Sequence, residues 1–451
     1  MGSENMGSLV SNFKLSSVVP ATVTGENKVH ELTHMDLAMK LHYIQGVYFF
    51  RREAVEGLSI LDLKEPMFQC LDHYFTVSGR VRRSETGRPF IKCNDSGVRI
   101  VEADCDTSIE EFLAMKYHCF HGSLVYNQVL GPDLAFSPLV IIQFTRFKCG
   151  GMSLGLSWAH VLGDAFSASA FINMWGQILS GHEMPPKSLQ TPNPVKMKFP
   201  PPSCEKSVSM KRVDPLGDDH WLTVNDCNME TDYFPVTAKQ LEHMVTNICA
   251  DDKLAAQSTS HFAVLSAVIW KYISETREDL GPRIVTVCTS TSHNGENGYP
   301  TNGMVLMSMV EADFSVAKAD VSAVVELISQ KIVEINNNNN IGSVDEEILV
   351  EKGNGEGDFI TYGANLTFVN LEETNIYGLE LKGHWPVFAN YTINGVGDEG
   401  VVLVLPGPTN GQGEGGGHVG AVADGVTVTM VLPKNQLGLL KSKLERDWNI
   451  V

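Results

Sequence analysis

The sequence predicts two domains of mixed α/β structure, each of roughly 200 residues. Three observations lead there. The chain has 451 residues, which at about 150 residues per domain leaves room for two or three hydrophobic cores. Hydrophobic residues make up 43%, charged residues 19% and aromatic residues 8%, with 40 Gly and 20 Pro, ordinary globular usage that excludes collagen, coiled coil and wholesale disorder. Seven of the 20 prolines fall between Pro185 and Pro202; proline, with its fixed φ and missing amide donor, favours an extended surface crossover there. The expected limits are a first domain over 1–184, a linker over 185–215 and a second domain over 216–451.

The elements follow from periodicity. Leu37 to Leu41 have helical spacing and Val47 to Phe50 are β-branched or aromatic, so Asp36–Phe50 reads as a helix running into a strand. Ser137-Pro138 opens a buried-type strand over Leu139–Phe147, and Cys149-Gly150-Gly151 turns it into a second strand. There Met152, Leu154, Leu156 and Trp158 alternate with small residues, a hairpin pattern. Helical spacing then resumes, with Phe166, Ala170, Met174 and Ile178 four apart. In the second half Ser260–Ile273 reads as a helix with Phe262, Leu265, Ile269 and Ile273 on one side. Ile284–Ser290, Ile348–Gly353, Phe359–Val369, Gly400–Pro406 and Gly425–Pro433 read as strands, and a last helix surrounds Gln436–Trp448. Asn336–Asn340 and Gly411–Gly417 read as surface loops.

Charge narrows the function classes. Lys and Arg number 34 against 53 Asp and Glu, a net charge of −19, which repels phosphate backbones and anionic lipid headgroups, so nucleic-acid binding is disfavoured. A local basic pocket for one phosphorylated ligand stays compatible with it. The nine cysteines, at 70, 93, 105, 119, 149, 204, 227, 249 and 288, form no CxxC pair; reduced thiols are expected, with neither a disulfide framework nor a metal site. The first thirty residues hold no continuous apolar core of the secretory kind, and no stretch approaches the ~20 apolar residues of a transmembrane span. Met6–Ser11 fits a myristoylation pattern only for translation from Met6. Membrane association is therefore expected to be peripheral or through a partner.

Ser153–Ser167 carries the candidate chemistry, because it ends a strand and begins a helix, a junction that aims side chains into clefts. His160 is the one residue there with an ordinary pKa near neutrality, about 6.5, suited to take a proton from an alcohol, amine or thiol. Asp164, four positions on, can fix the turn through backbone hydrogen bonds or an ion pair, or orient the imidazole directly. A structural histidine is the plain alternative. Gly155–Ala159 approximates a nucleophile elbow around Ser157, but Ala159 replaces its last glycine and the alternation is that of a packed strand. No dinucleotide or P-loop fingerprint is present.

Four segments together carry a resemblance. Tyr74–Arg80, Cys93–Val98, the H-x-x-x-D of His160 and Asp164, and Gly298–Asn302 are similar, in the same order, to motifs of the BAHD acyltransferases. That resemblance implies two chloramphenicol-acetyltransferase-like domains around a central inter-domain channel, with acyl-CoA as substrate, no bound cofactor and no metal. It implies His160 as general base, Asp164 as structural support of the motif and, at the corresponding position, the Thr361 hydroxyl as an oxyanion donor. A strand residue is the plain reading of Thr361, and core packing that of Trp158 and Trp270.

Longer phrases, among them LTHMDLAMKLHYIQGVYFF and FKCGGMSLGLSWAHVLGDAFSAS, resemble the Eceriferum and Glossy group of cuticular-wax proteins. This implies an accessory role with the fatty-acid elongase, peripheral on the cytosolic side of the endoplasmic reticulum or in the cytoplasm. The partner implied is a membrane-bound condensing enzyme, a ketoacyl-CoA synthase, that extends very-long-chain acyl-CoA. The alternatives are an acyl-CoA-dependent transferase using His160 as base, and an inactive relative that binds an acyl ligand. Three departures from the enzymatic pattern bear on the choice. Glu380–His384 stands where the family has DFGWG, Ala165 replaces the glycine after the H-x-x-x-D motif, and Ser290 or a neighbour stands where an arginine usually pairs with the motif aspartate.

Overall fold

The hairpin is the centre of the first lobe. Val140–Phe147 and Met152–Ala159 pair antiparallel, and Met152–Ala159 is buried at all eight positions. Its small residues have a physical reason: a Cβ on Gly155 would lie 1.9 Å from the Leu124 carbonyl oxygen. The structure, a computed structural model, describes residues 9–115, 121–127, 129–183, 210–214, 217, 219–248, 260–277, 281–290, 300–303, 305–337, 358–408 and 424–450. The strands expected at Ile348–Gly353, the crossover at Pro185–Pro202 and the loop at Gly411–Gly417 lie outside these residues, as does Asn338–Asn340.

Six strands form the first sheet, in the order Val10–Val18, Val98–Cys105, Val140–Phe147, Met152–Ala159, Tyr43–Phe50, Phe388–Asn394. The last comes from the C-terminal half and pairs antiparallel along Tyr43–Phe50, from Phe388 with Phe49 to Asn394 with Tyr43. The second sheet runs Met229–Val236, Val426–Pro433, Val401–Pro406, Leu366–Asn370, Ile284–Ser290, Val305–Glu311, its third to fifth strands parallel. Thr429 Oγ1 and Asn390 Oδ1, 2.7 Å apart, tie the two sheets together. These two six-stranded mixed sheets, with a two-stranded and a three-stranded sheet beside them among the described residues, make the α/β architecture of the expected fold class.

The helix expected after the hairpin is present, and two other sequence expectations change. The helix Ala165–Leu179 buries Ala165, Ala168, Ser169, Phe171, Ile172, Trp175 and Gly176, whereas Phe166, Met174 and Ile178 are half-buried and Ala170 is exposed. Steps of four advance about 400° around a helix, so such a set drifts about 40° per step off the packed face. Phe359–Val369 is not one strand. Asp358–Ile360 pairs with Lys211–Val213, a turn follows, and Leu366–Asn370 enters the second sheet. Asn336 and Asn337 close the helix Val321–Asn337 rather than forming a loop.

His261–Thr276 is buried on all sides, from Phe262 continuously to Trp270, so its one-sided apolar set is only part of what it packs. Trp158 and Trp270 are core residues, their ring N–H groups donating to the Gly163 and Pro282 carbonyls. Two of the motifs meet each other: the buried Arg80 guanidinium donates to the Gly79, Ser96 and Gly97 carbonyls, and Gly97 N–H donates to Ser78 O at 3.0 Å. No helix among the described residues is long and apolar enough to cross a membrane.

Candidate active site

His160 follows the last residue of the buried strand Met152–Ala159, at the start of a single 3₁₀ turn, His160–Leu162. Its backbone is held on both sides: its N–H donates to His42 O at 3.1 Å, and its carbonyl accepts from Asn302 Nδ2 at 2.8 Å. The same Asn302 amide donates to Asp36 Oδ1 at 2.9 Å. Asn302, the last residue of the Gly298–Asn302 motif, thus fastens a loop of the second lobe onto the histidine's turn; Gly298 and Tyr299 lie outside the described residues. Gly163 follows because a Cβ there would stand 2.6 Å from Thr301 N.

Asp164 caps the next helix. Its Oδ1 accepts from Ser167 N–H at 2.9 Å and its Oδ2 from Ser290 Oγ at 3.1 Å. The serine anticipated at the usual arginine position is therefore the residue that meets the carboxylate. Burial pushes the Asp164 carboxyl above its ordinary pKa, partly offset by the bonds from Ser167 and Ser290. Asp164 makes no hydrogen bond to His160; it supports the motif by fixing the turn, not by orienting the ring.

The imidazole is 1% exposed. Its Nε2 lies 3.2 Å from the Tyr362 hydroxyl, and Nδ1 is buried without a hydrogen-bond partner among the described residues. Desolvation lowers its pKa to about 4, so the ring is neutral at physiological pH. A second imidazole lies close by: His42 Nδ1–H donates to Gly395 O at 3.0 Å, while Nε2 accepts from Thr361 N–H and Tyr362 N–H, each at 3.2 Å. With Nε2 accepting two amides, its tautomer is fixed and charging it would break both bonds. Burial and the neighbouring His160 lower the His42 pKa to about 3. His42 lies within the family-like phrase LTHMDLAMKLHYIQGVYFF and Tyr362 directly follows Thr361, yet nothing local marks either side chain as part of the site.

Thr361 is placed differently from its expected role. It is buried, and its hydroxyl donates to Ala38 O at 2.9 Å. Its one O–H is thereby committed and cannot donate to an oxyanion. The hydroxyl that meets His160 belongs to the next residue, Tyr362, whose ring sits edge-on to His42 (4.9 Å between centroids) and tilted against His160 (5.5 Å). The buried Cys288 thiol lines the same cavity as the Tyr362 ring.

These groups enclose little space. The cavity lined by His160, Asp164, Cys288, Ser290, Tyr362 and Thr392 holds about 20 Å³, enough for one water and far below a substrate. The segment in the DFGWG register still packs on the helix Ala165–Leu179: Ser180 Oγ donates to Glu380 O at 3.4 Å and accepts from Lys382 N–H at 3.2 Å. Leu381 and His384 close it as a tight turn.

Comparison with known proteins places this geometry. The chain is 38% identical to Protein ECERIFERUM 2 of Arabidopsis thaliana, covering 97% of this chain and 98% of that one. It is 36% identical to Protein ECERIFERUM 26-like of the same plant, covering 97% and 96%. Vinorine synthase, a solved structure, shares the fold at a TM-score of 0.68 with 16% identity, over 97% of this chain and 98% of that one. The profile of the Transferase family matches residues 10–447. With its motif turn intact and near full-length likeness on both counts, the chain belongs to the Transferase family, the BAHD acyltransferases, within the Eceriferum group.

Proposed function

We propose that the chain is an accessory protein of the fatty-acid elongase and not itself an acyl-transfer catalyst. In this reading it acts in cuticular-wax biosynthesis, peripheral on the cytosolic side of the endoplasmic reticulum. There it helps a membrane-bound ketoacyl-CoA synthase extend very-long-chain acyl-CoA, the partner providing the membrane anchor. One observation carries the reading: the motif histidine is buried and lines a cavity of only about 20 Å³, with a neighbouring tyrosine on its Nε2. An acyl thioester and an acceptor cannot both reach a base enclosed in that way. The likeness to ECERIFERUM 2 and ECERIFERUM 26-like over nearly the whole chain supports the wax context.

A second reading, an acyl-CoA-dependent transferase with His160 as base, rests on the retained His160 and the capped Asp164. Co-expression with a ketoacyl-CoA synthase in yeast, followed by acyl-chain profiling, separates the two. The accessory reading expects longer chains with the wild type and with a folded His160→Ala variant alike. Loss of extension in that variant, with its thermal stability retained, favours the transferase.

A further inference from the structure

A general base must lie within about 2.6–3.2 Å of the proton it removes. In this chain a hydroxyl already occupies that position, and it is the protein's own. Tyr362 Oη lies 3.2 Å from His160 Nε2, and the ring is wedged between the two imidazoles. Tyr362 is 2% exposed and Cys288, which lines the same cavity, 3%. The backbone is pinned as well, since Tyr362 N–H and Thr361 N–H both donate to His42 Nε2 and Thr361 Oγ1 donates to Ala38 O. The phenol is therefore held from the first lobe by its amide, its ring and its hydroxyl, and little space remains beside it.

We propose that Tyr362 is an internal stand-in for the hydroxyl acceptor: its phenol fills the place at His160 Nε2 that an alcohol would take, and so occludes the base. The inference rests on the accessory reading and supplies its structural cause. It also says what an emptied site would accept, a planar aromatic ring with one hydroxyl directed at the imidazole. Removing the side chain leaves a phenol-shaped hole, and buried holes of that kind take up small aromatic molecules.

Phenol binding to the full-length chain tests this, read by thermal melting and calorimetry. Tyr362→Ala should be stabilised by phenol, while the wild type and Tyr362→Phe, whose ring still fills the site, should not. Adding His160→Ala to Tyr362→Ala should weaken phenol binding about tenfold, the loss of roughly one hydrogen bond. Phenol binding that ignores His160, or that the wild type shows equally, or that Tyr362→Ala lacks, overturns the assignment. Should Tyr362→Ala not fold even when expressed with phenol, Tyr362→Leu decides through carbethoxylation of His160 by diethyl pyrocarbonate. Reaction at least tenfold faster than in the wild type supports occlusion, and an unchanged rate overturns it. The two readings fail separately. Failed phenol tests with chain extension intact in co-expression remove only the occlusion, whereas His160-dependent release of CoA from acyl-CoA by the wild type removes the accessory reading.

Discussion

The two neutral imidazoles between the lobes make stability depend on pH with a calculable sign. An unfolded chain titrates these histidines near 6.5, while burial holds His160 at about 4 and His42 at about 3. A histidine with a lowered folded-state pKa stabilises the protein fully above its unfolded value, and that stability is lost as pH falls from 6.5 toward the folded value. Between pH 7 and pH 5 the loss works out at about 2 kcal/mol for each ring. Glu372 opposes it: burial, reinforced by Glu373, raises that carboxyl to about 7, so the folded state takes up a proton first and gains about 2 kcal/mol over the same interval. A net drop in the wild type thus mixes signs, and a difference between variants isolates one ring. His160→Gln keeps a polar partner for the Tyr362 hydroxyl and removes the titration. Urea unfolding at pH 7 and pH 5 should show the variant losing about 2 kcal/mol less than the wild type on acidification. Equal losses in the two proteins would refute the claim that His160 is folded into a neutral, desolvated state.

Asn302→Ala removes the donor shared by Asp36 Oδ1 and the His160 carbonyl, and leaving two buried acceptors short should cost about 2–3 kcal/mol in urea unfolding. Thr361→Val deletes the hydroxyl bonded to Ala38 O; stability should fall by about 1 kcal/mol, while chain extension in co-expression stays unchanged, as befits a packing residue. Gly155→Ala forces a Cβ to within 1.9 Å of the Leu124 carbonyl oxygen, and a loss of about 3 kcal/mol should appear as a lowered Tm and poor soluble yield.

How much of this was legible in the sequence differs by element. The hairpin over Val140–Ala159 was readable because alternation and the Cys149–Gly151 turn are local signals. The meeting of Asp164 with Ser290 was legible only through family likeness, since 126 positions separate them. The helix Ala165–Leu179 was legible from its local spacing, but not its packed face, because a step of four drifts around the helix. Phe388–Asn394 pairs with Tyr43–Phe50 across more than 300 residues, a pairing that no periodicity encodes. Tyr362 and His42 stayed hidden for a related reason: each is unremarkable locally and gains its role only when the lobes bring it to His160.

The borrowed strand has a consequence for taking the molecule apart. A fragment ending before Phe388 would leave the Tyr43–Phe50 edge bare, with eight buried residues and a row of unsatisfied amides ready to capture another chain. The separated halves are therefore expected to aggregate alone and to regain solubility when produced together. The intact molecule, unable to unlatch one half without breaking that ladder, should melt in a single cooperative step.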